Sequence, residues 1–183
     1  AGVVIQEHTP VINIQDGPVV HTQNDVLSAG TVVIAGGLHS TDLAKKLGMT
    51  FPIKPVRGQA LEVAAAGPIV SRTVKFSKHL HLTPRPNNHV VIGATTEPGV
   101  WDDEPVKADI EHLLAEAKKV APALAGAKIM RTWAGLRPKG PKGRPYIGPV
   151  EGHKNIYLSA GHYKIGFYLA PLSAQRVAQM VCS

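Results

Sequence analysis

Apolar and polar residues alternate or cluster in short runs along most of the chain, and three stretches carry the helical period. VINI (11–14) alternates loosely until Asp16-Gly17 breaks the pattern before Val19 and Val20. Asp-Gly between apolar runs predicts a hairpin, because glycine reaches positive φ without a side-chain clash. Asn24-Asp25 predicts a second turn, before VLSAG. TVVIAGG (31–37) is a continuous apolar run ending in two glycines and reads as a strand buried on both faces. Ser40 or Thr41 is positioned to cap a short helix, DLAKKLG, which Gly48 stops.

PVRGQALEV (55–63), HLHLTPR (79–85) and HVVIGAT (89–95) read as strands, the last two joined across Asn87-Asn88. In PVKADIEHLLAEAKKV (105–120), Val106, Ile110, Leu113, Leu114 and Ala117 follow the helical period. Pro105 suits the first helical position, acidic residues precede the helix, and Pro122 ends it. Residues 128–136 return as a strand, and NIYLSAGH (155–162) is a short strand with a glycine exit. A last helix is expected from near Ala170, with Pro171 in its first turn, to Val181. Many strands with three helices make a mixed α and β chain.

Composition narrows the partners. The chain has 183 residues, 44% hydrophobic and 18% charged, with a formal net charge of +7. That is globular composition with a bias toward acidic ligands or partners. The single cysteine, Cys182, rules out an internal disulfide and a multi-cysteine zinc site, and is compatible with a reducing, cytoplasmic setting. No apolar run approaches ~18 residues, so no membrane partner is expected.

Two stretches draw attention for chemistry. In WAGLRPKGPKGRPYIG (133–148), Arg137 follows apolar and small residues at a strand end. An arginine there needs a partner to offset desolvation, and its planar fork suits a carboxylate. Spacing alone favours a plainer reading, pairing to a structural aspartate or exposure. In GHYKIG (161–166), two glycines bracket Lys164 ahead of a helix N-terminus, where close backbone approach and a positive dipole end suit a negative atom. Any tight strand-to-helix turn looks similar. His79 and His81 share a strand face, more simply as a solvated or stacked pair than as metal ligands. KGPKGR (139–144) is basic, but 5% aromatics and the lack of a nucleic-acid signature make a solvated loop the simpler account.

EHTPV, TVVIAGG, PVRGQ, TPR, VIGATTEPG, WAGLRP, the G-x-P-Y-I-G run and AGH-x-x-x-G-x-x-LAP stand in the order found in one family. Through them the chain resembles the D-amino-acid oxidase superfamily of FAD-dependent oxidoreductases, nearest its glycine oxidase branch. The resemblance implies an α+β fold in which a large mixed or antiparallel sheet forms a substrate domain with helices. The C-terminal part of a Rossmann-like FAD-binding domain accompanies it. Residues 1–53 and 138–183 would belong to the FAD domain and 54–137 to the substrate domain.

It implies FAD as cofactor and a small amino acid as substrate, oxidised by hydride transfer to the flavin to give an imine and peroxide. Arg137 falls on the substrate-carboxylate arginine. Lys164 falls where close relatives place an arginine near the flavin and would support catalysis there. Gly161, His162, Lys164, Ile165 and Gly166 would line the flavin, with Val11 on the adenine side and Gly36 also on the cofactor. His81 stands where relatives have a tyrosine and Thr96 where they have a methionine, both at the substrate. Those changes imply a substrate larger than glycine, or a cyclic imino acid.

The family's opening G-x-G-x-x-G and its βαβ unit of about 30 residues are absent. The expectation is therefore a C-terminal chain or fragment, active only with an N-terminal FAD-binding half present as a separate chain or cleaved piece, in an oligomer. The other expectations kept open are a subunit of a dye-linked dehydrogenase and a non-catalytic scaffold subunit.

Overall fold

The computed structural model describes residues 2–182. They form two compact units: one takes the chain up to Lys54 and again from Pro138, the other is Pro55–Arg137. In chain order the strands are β1 (Val11–Gln15), β2 (Val19–Thr22), β3 (Val26–Ser28), β4 (Val32–Ile34), β5 (Lys54–Ala64) and β6 (Val74–Lys75). They continue as β7 (His81–Arg85), β8 (His89–Gly93), β9 (Glu97–Pro98), β10 (Lys128–Lys139), β11 (Tyr146–Pro149) and β12 (Ile156–Ala160). The α-helices are α1 (Ser40–Lys46), α2 (Lys107–Val120) and α3 (Gly166–Val181).

In the first unit, β1, β2 and β3 form an antiparallel meander. Gly17, at φ +89°, makes the first turn, and the Thr22 hydroxyl accepts the N–H groups of Asn24 and Asp25 in the second. A second sheet runs β11-β12-β4, with β12 antiparallel to β11 and parallel to β4. Its core gathers Ile14, Val32, Ile34, Ala44, Phe51, Ile156 and Leu158. β4 is not buried on both faces: Val32 and Ile34 point inward, while Val33 between them is 41% exposed. A continuous apolar run cannot tell which of a strand's two faces its own chain covers.

Neither Ser40 nor Thr41 caps α1; the N-cap is His39, with no side-chain capping bond. The Thr41 hydroxyl is engaged elsewhere, donating to the Phe51 carbonyl and accepting from Ile53 N–H, both at 3.1 Å. That ties α1 to the segment entering β5. α3 begins at Gly166, ahead of Ala170, so Pro171 lies inside the helix rather than in its first turn. The carbonyl that loses its donor is that of Phe167, a residue 90% exposed and so open to solvent. Gly166 fits this early start because a Cβ there would come within 3.1 Å of His162 Cβ.

The second unit is built on β5. Its sheet runs β10-β5-β8-β7-β6, with β9 also pairing β5. Asn87 and Asn88, at φ +59° and +57°, close the β7–β8 hairpin as their sequence predicts. α2 buries Ile110, Leu113 and Ala117 against Leu61, Val63, Leu82 and Ile92 on one face of the sheet. Pro105 stays outside α2, whose N-cap is Val106 in extended backbone. The Val106 N–H is taken at 2.6 Å by Gln59 Oε1, so the helix starts after it. Among the described residues, no helix is long and apolar enough to cross a membrane.

Candidate functional site

Period-two alternation along β5 sorts its residues onto two faces. Arg57, Gln59, Leu61 and Val63 face α2; Gly58, Ala60 and Glu62 face the other way. Polar side chains within a buried strand need partners, and here they have them. Arg57 Nε and Nη2 donate to Glu97 Oε2 at 2.8 and 2.5 Å. Gln59 Nε2 donates to Glu97 Oε1 and Asp109 Oδ2 at 2.9 and 2.6 Å. The Thr95 hydroxyl donates to Glu97 Oε1 and accepts the Gln59 N–H at 2.9 Å. Burial alone would push the Glu97 carboxyl up, but bonds from Gln59, Thr95 and Arg57, with the Arg57 charge, hold it below the ordinary carboxylate range.

The opposite face carries Arg137. The half-buried guanidinium lies over Gly58: a Cβ built on that glycine would stand 2.0 to 2.2 Å from Nη2, Nη1 and Cζ. Nη1 donates to the carbonyls of Arg57, at 3.3 Å, and Thr95, at 3.2 Å. These carbonyl oxygens accept from Nη1 and fix the direction of the fork. His81 opens β7 on the same face, opposite Gly93, which in turn is opposite Ala60 on β5. A Cβ on Gly93 would meet the His81 ring at 3.4 Å. Burial, then the positive charges of Arg137 and Lys75, hold His81 below the ordinary imidazole range, so it is neutral near pH 7. Thr96 is half-buried in the turn between β8 and β9, directly after Thr95.

Farther along this face, Glu62 is buried and bonded to His89 Nδ1 at 2.8 Å and Arg131 Nε at 2.6 Å. The Arg131 guanidinium stacks 5.0 Å from the Trp133 ring centre. Those bonds, led by His89, hold Glu62 below its ordinary range.

The expected cofactor residues lie in the first unit, five of the seven along two grooves. Val11 and Gly36 line a groove of about 670 Å³ beside β4 and α1. Gly161, His162 and Gly166 line another of about 680 Å³ between β4 and α3. Val33 and Ala35 line both, so the grooves share a wall. Gly161, at φ +83°, sits where a Cβ would come within 3.0 Å of Gly140 Cα and 3.1 Å of the Phe51 ring. Its carbonyl accepts Gly140 N–H at 3.1 Å, and the half-buried His162 bonds Ser173 Oγ at 3.0 Å, its pKa lowered by burial. Lys164 is exposed, 5.4 Å from the Tyr163 ring centre, and Ile165 is the N-cap of α3; neither lines either groove.

These grooves suit a large, flat, mostly apolar group. Their walls are mainly aliphatic side chains and glycines, with His39, Asp42 and Lys46 at the first and His162 at the second. Among the described residues, no group of three histidine, cysteine or acidic side chains could hold a metal ion.

Sequence reading missed Gly58 and the Glu97 network. A signal was available: Arg57 and Gln59 stand at alternate positions in an otherwise apolar strand, which places two polar groups on one face in need of a common partner.

One unit carries a parallel β4–β12 pair with a helix following β12, and the other presents an arginine over a glycine on a sheet face. The family model for FAD dependent oxidoreductases (DAO) matches residues 1–180, and the chain belongs to that family. It is 40% identical over 156 residues to glycine oxidase of Pseudomonas putida, covering 85% of this chain and 42% of that protein. To the Bacillus licheniformis glycine oxidase it is 36% identical, covering 98% of this chain and 49% of that protein. The crystal structure of glycine oxidase from Geobacillus kaustophilus matches with a TM-score of 0.93 at 31% identity, over 98% of this chain and 50% of that one. The chain thus spans about half the length of the relatives it matches. Its family is FAD-dependent, and the mixed α and β fold is the one expected.

Proposed function

We propose that this chain supplies the substrate face and part of the cofactor site of a flavin-dependent oxidase acting on a small amino acid. The observation that carries the reading is the guanidinium of Arg137, laid over Gly58 and hydrogen-bonded to backbone carbonyls on a glycine-rich sheet face. Such a fork, held in place, receives an α-carboxylate through paired charge-assisted hydrogen bonds. That orients the substrate's α-carbon and its hydrogen. FAD, held by the groove residues, would supply a two-electron acceptor for oxidation of the amine to an imine, and dioxygen would be the final acceptor, taking two electrons and two protons to give hydrogen peroxide.

This chain's own residues take the following parts. Arg137 binds and aims the substrate. His81, neutral and beside that charge, accepts a hydrogen bond from the substrate amine and disfavours a second cation at that point. Gly135, with open space where a side chain would stand, leaves that part of the face free for substrate side chains larger than hydrogen. Val11, Gly36, Gly161, His162 and Gly166 would hold the cofactor along the two grooves, and Lys164, with Ile165 at the α3 N-terminus, would place positive charge near the reducible ring.

The test is steady-state oxidation by the flavin-loaded protein with an amino acid and with its amide. Arg137→Met lowers kcat/KM for the acid by about 10- to 150-fold, the loss expected for charged hydrogen bonds of about 1.5–3 kcal/mol, and changes the amide little. Equal losses on both would contradict the assignment.

A further inference from the structure

Both carbonyls that orient Arg137 belong to residues whose side chains end on one carboxylate. Arg57 and Glu97 are opposite each other in the antiparallel β5–β9 pair. Arg57 grips Glu97 Oε2 through Nε and Nη2. Thr95 reaches the other oxygen through its hydroxyl and is locked to β5 twice more. Its Oγ1 accepts the Gln59 N–H at 2.9 Å, and its own N–H donates to the Gln59 carbonyl at 3.2 Å. Gln59 in turn donates to Glu97 Oε1. The separation between the Arg57 and Thr95 carbonyls is therefore set by a knot on the α2 side of the sheet, while the guanidinium they hold lies on the opposite side.

We infer that Glu97 is a positioning residue: it holds the two carbonyls that aim the Arg137 fork, and so sets carboxylate affinity without touching substrate. The inference rests on the clamp reading of Arg137. It predicts that the strength of the clamp depends on side chains buried behind it. The Thr95 hydroxyl is the tie that can be cut without removing a charge, because Val has nearly the same shape.

The charge on Glu97 is needed as well as its shape. Protonation would make one oxygen a donor in a position where Arg57, Gln59 and Thr95 all donate. The groups facing it are Arg57 on β5, Gln59 on β5, Thr95 beside β8, and, through Arg57 and Gln59, Asp102 and Asp109. The carboxylate form is thus the one that closes the knot.

The experiment uses the complete flavin-loaded protein. Dissociation constants for acetate and for acetamide are measured by ligand-observed NMR titration in wild type, Thr95→Val, Thr95→Ser, Glu97→Gln, Arg137→Met and the Thr95→Val/Arg137→Met pair. Thermal unfolding is followed alongside. Thr95→Val is expected to weaken acetate by about 3- to 10-fold, because the hydroxyl's bonds to Glu97 and from the Gln59 N–H are both lost, and to leave acetamide unchanged. Thr95→Ser restores acetate affinity, and Thr95→Val has no further effect once Arg137 is Met, because the two act through one clamp. Glu97→Gln gives a larger loss if it folds; Thr95→Val, with both charges intact, carries the test if it does not. Acetate affinity lowered by Arg137→Met but untouched by Thr95→Val would overturn the inference and leave the clamp standing. Acetate affinity untouched by Arg137→Met would remove the clamp and the inference with it.

Discussion

Gly58→Ala separates function from folding more sharply than removing Arg137 does. The glycine backbone is not in the left-handed region, so alanine is conformationally admissible there. In the unfolded state the change even favours folding by about 0.4–1 kcal/mol through lost chain entropy. The cost is local: the new methyl would stand 2.0 to 2.2 Å from three guanidinium atoms, far inside contact distance. Overpacking costs about 1–3 kcal/mol where the neighbours are rigid. Here the neighbour is the far end of a flexible side chain, which swings away. Net stability should therefore change by no more than about 1–2 kcal/mol, while Arg137 loses its contacts with the Arg57 and Thr95 carbonyls. Carboxylate affinity should fall by about 10-fold or more, as for loss of a charge-assisted hydrogen bond. Denaturant unfolding and acetate titration on the same preparation measure both. A well-folded Gly58→Ala protein with unchanged acetate affinity would refute the placement of the guanidinium.

The remaining predictions address other parts of the molecule. Gly161→Ala forces a side chain at φ +83° against Gly140 and Phe51 and should cost about 1–3 kcal/mol, read by urea unfolding. Thr96→Met should narrow the substrate face and shift turnover toward glycine and away from alanine and proline; a panel already preferring glycine in the wild type would contradict the larger-substrate reading. Folding lowers the pKa of Glu62, chiefly through its His89 and Arg131 bonds, and that of Glu97, so their stabilisation is present above the ordinary carboxylate pKa. It is lost as pH falls through the folded values. His81 and His162, lowered by burial, add a penalty as pH drops below the ordinary imidazole range. His153 runs the other way: raised by its bond to Asp16, it stabilises at low pH and loses that effect as pH rises through its folded pKa, so Asp16→Asn should flatten that part of a melting-temperature profile.

Patterning made some elements legible and not others. The Asn87-Asn88 and Asp16-Gly17 turns could be read because a left-handed backbone restricts residue type. α2 could be read because its buried positions recur at 3.6 residues. β6, β9 and β11 are too short to show a period. β4 reads as buried on both faces because Val33 is as apolar as Val32 and Ile34, and nothing local marks its exposed side. Pro171 reads as a first-turn residue because proline is tolerated there, whereas the helix starts earlier, at Gly166. Arg137 stands out in the sequence as an arginine at the end of an apolar run, and the family motifs give it a role, but its support is non-local. Gly58 and Glu97 lie 79 and 40 residues from it in sequence, and only the pairing of β5 with β9 and β10 brings all three together.

A crystal structure of the flavin-loaded protein with acetate bound tests the central claim most directly. The account predicts both carboxylate oxygens within hydrogen-bonding distance of the Arg137 guanidinium, on the face of β5 that carries Gly58, with the Arg57 and Thr95 carbonyl contacts retained. Acetate bound away from Arg137, or Arg137 turned off Gly58 to reach it, would contradict the account.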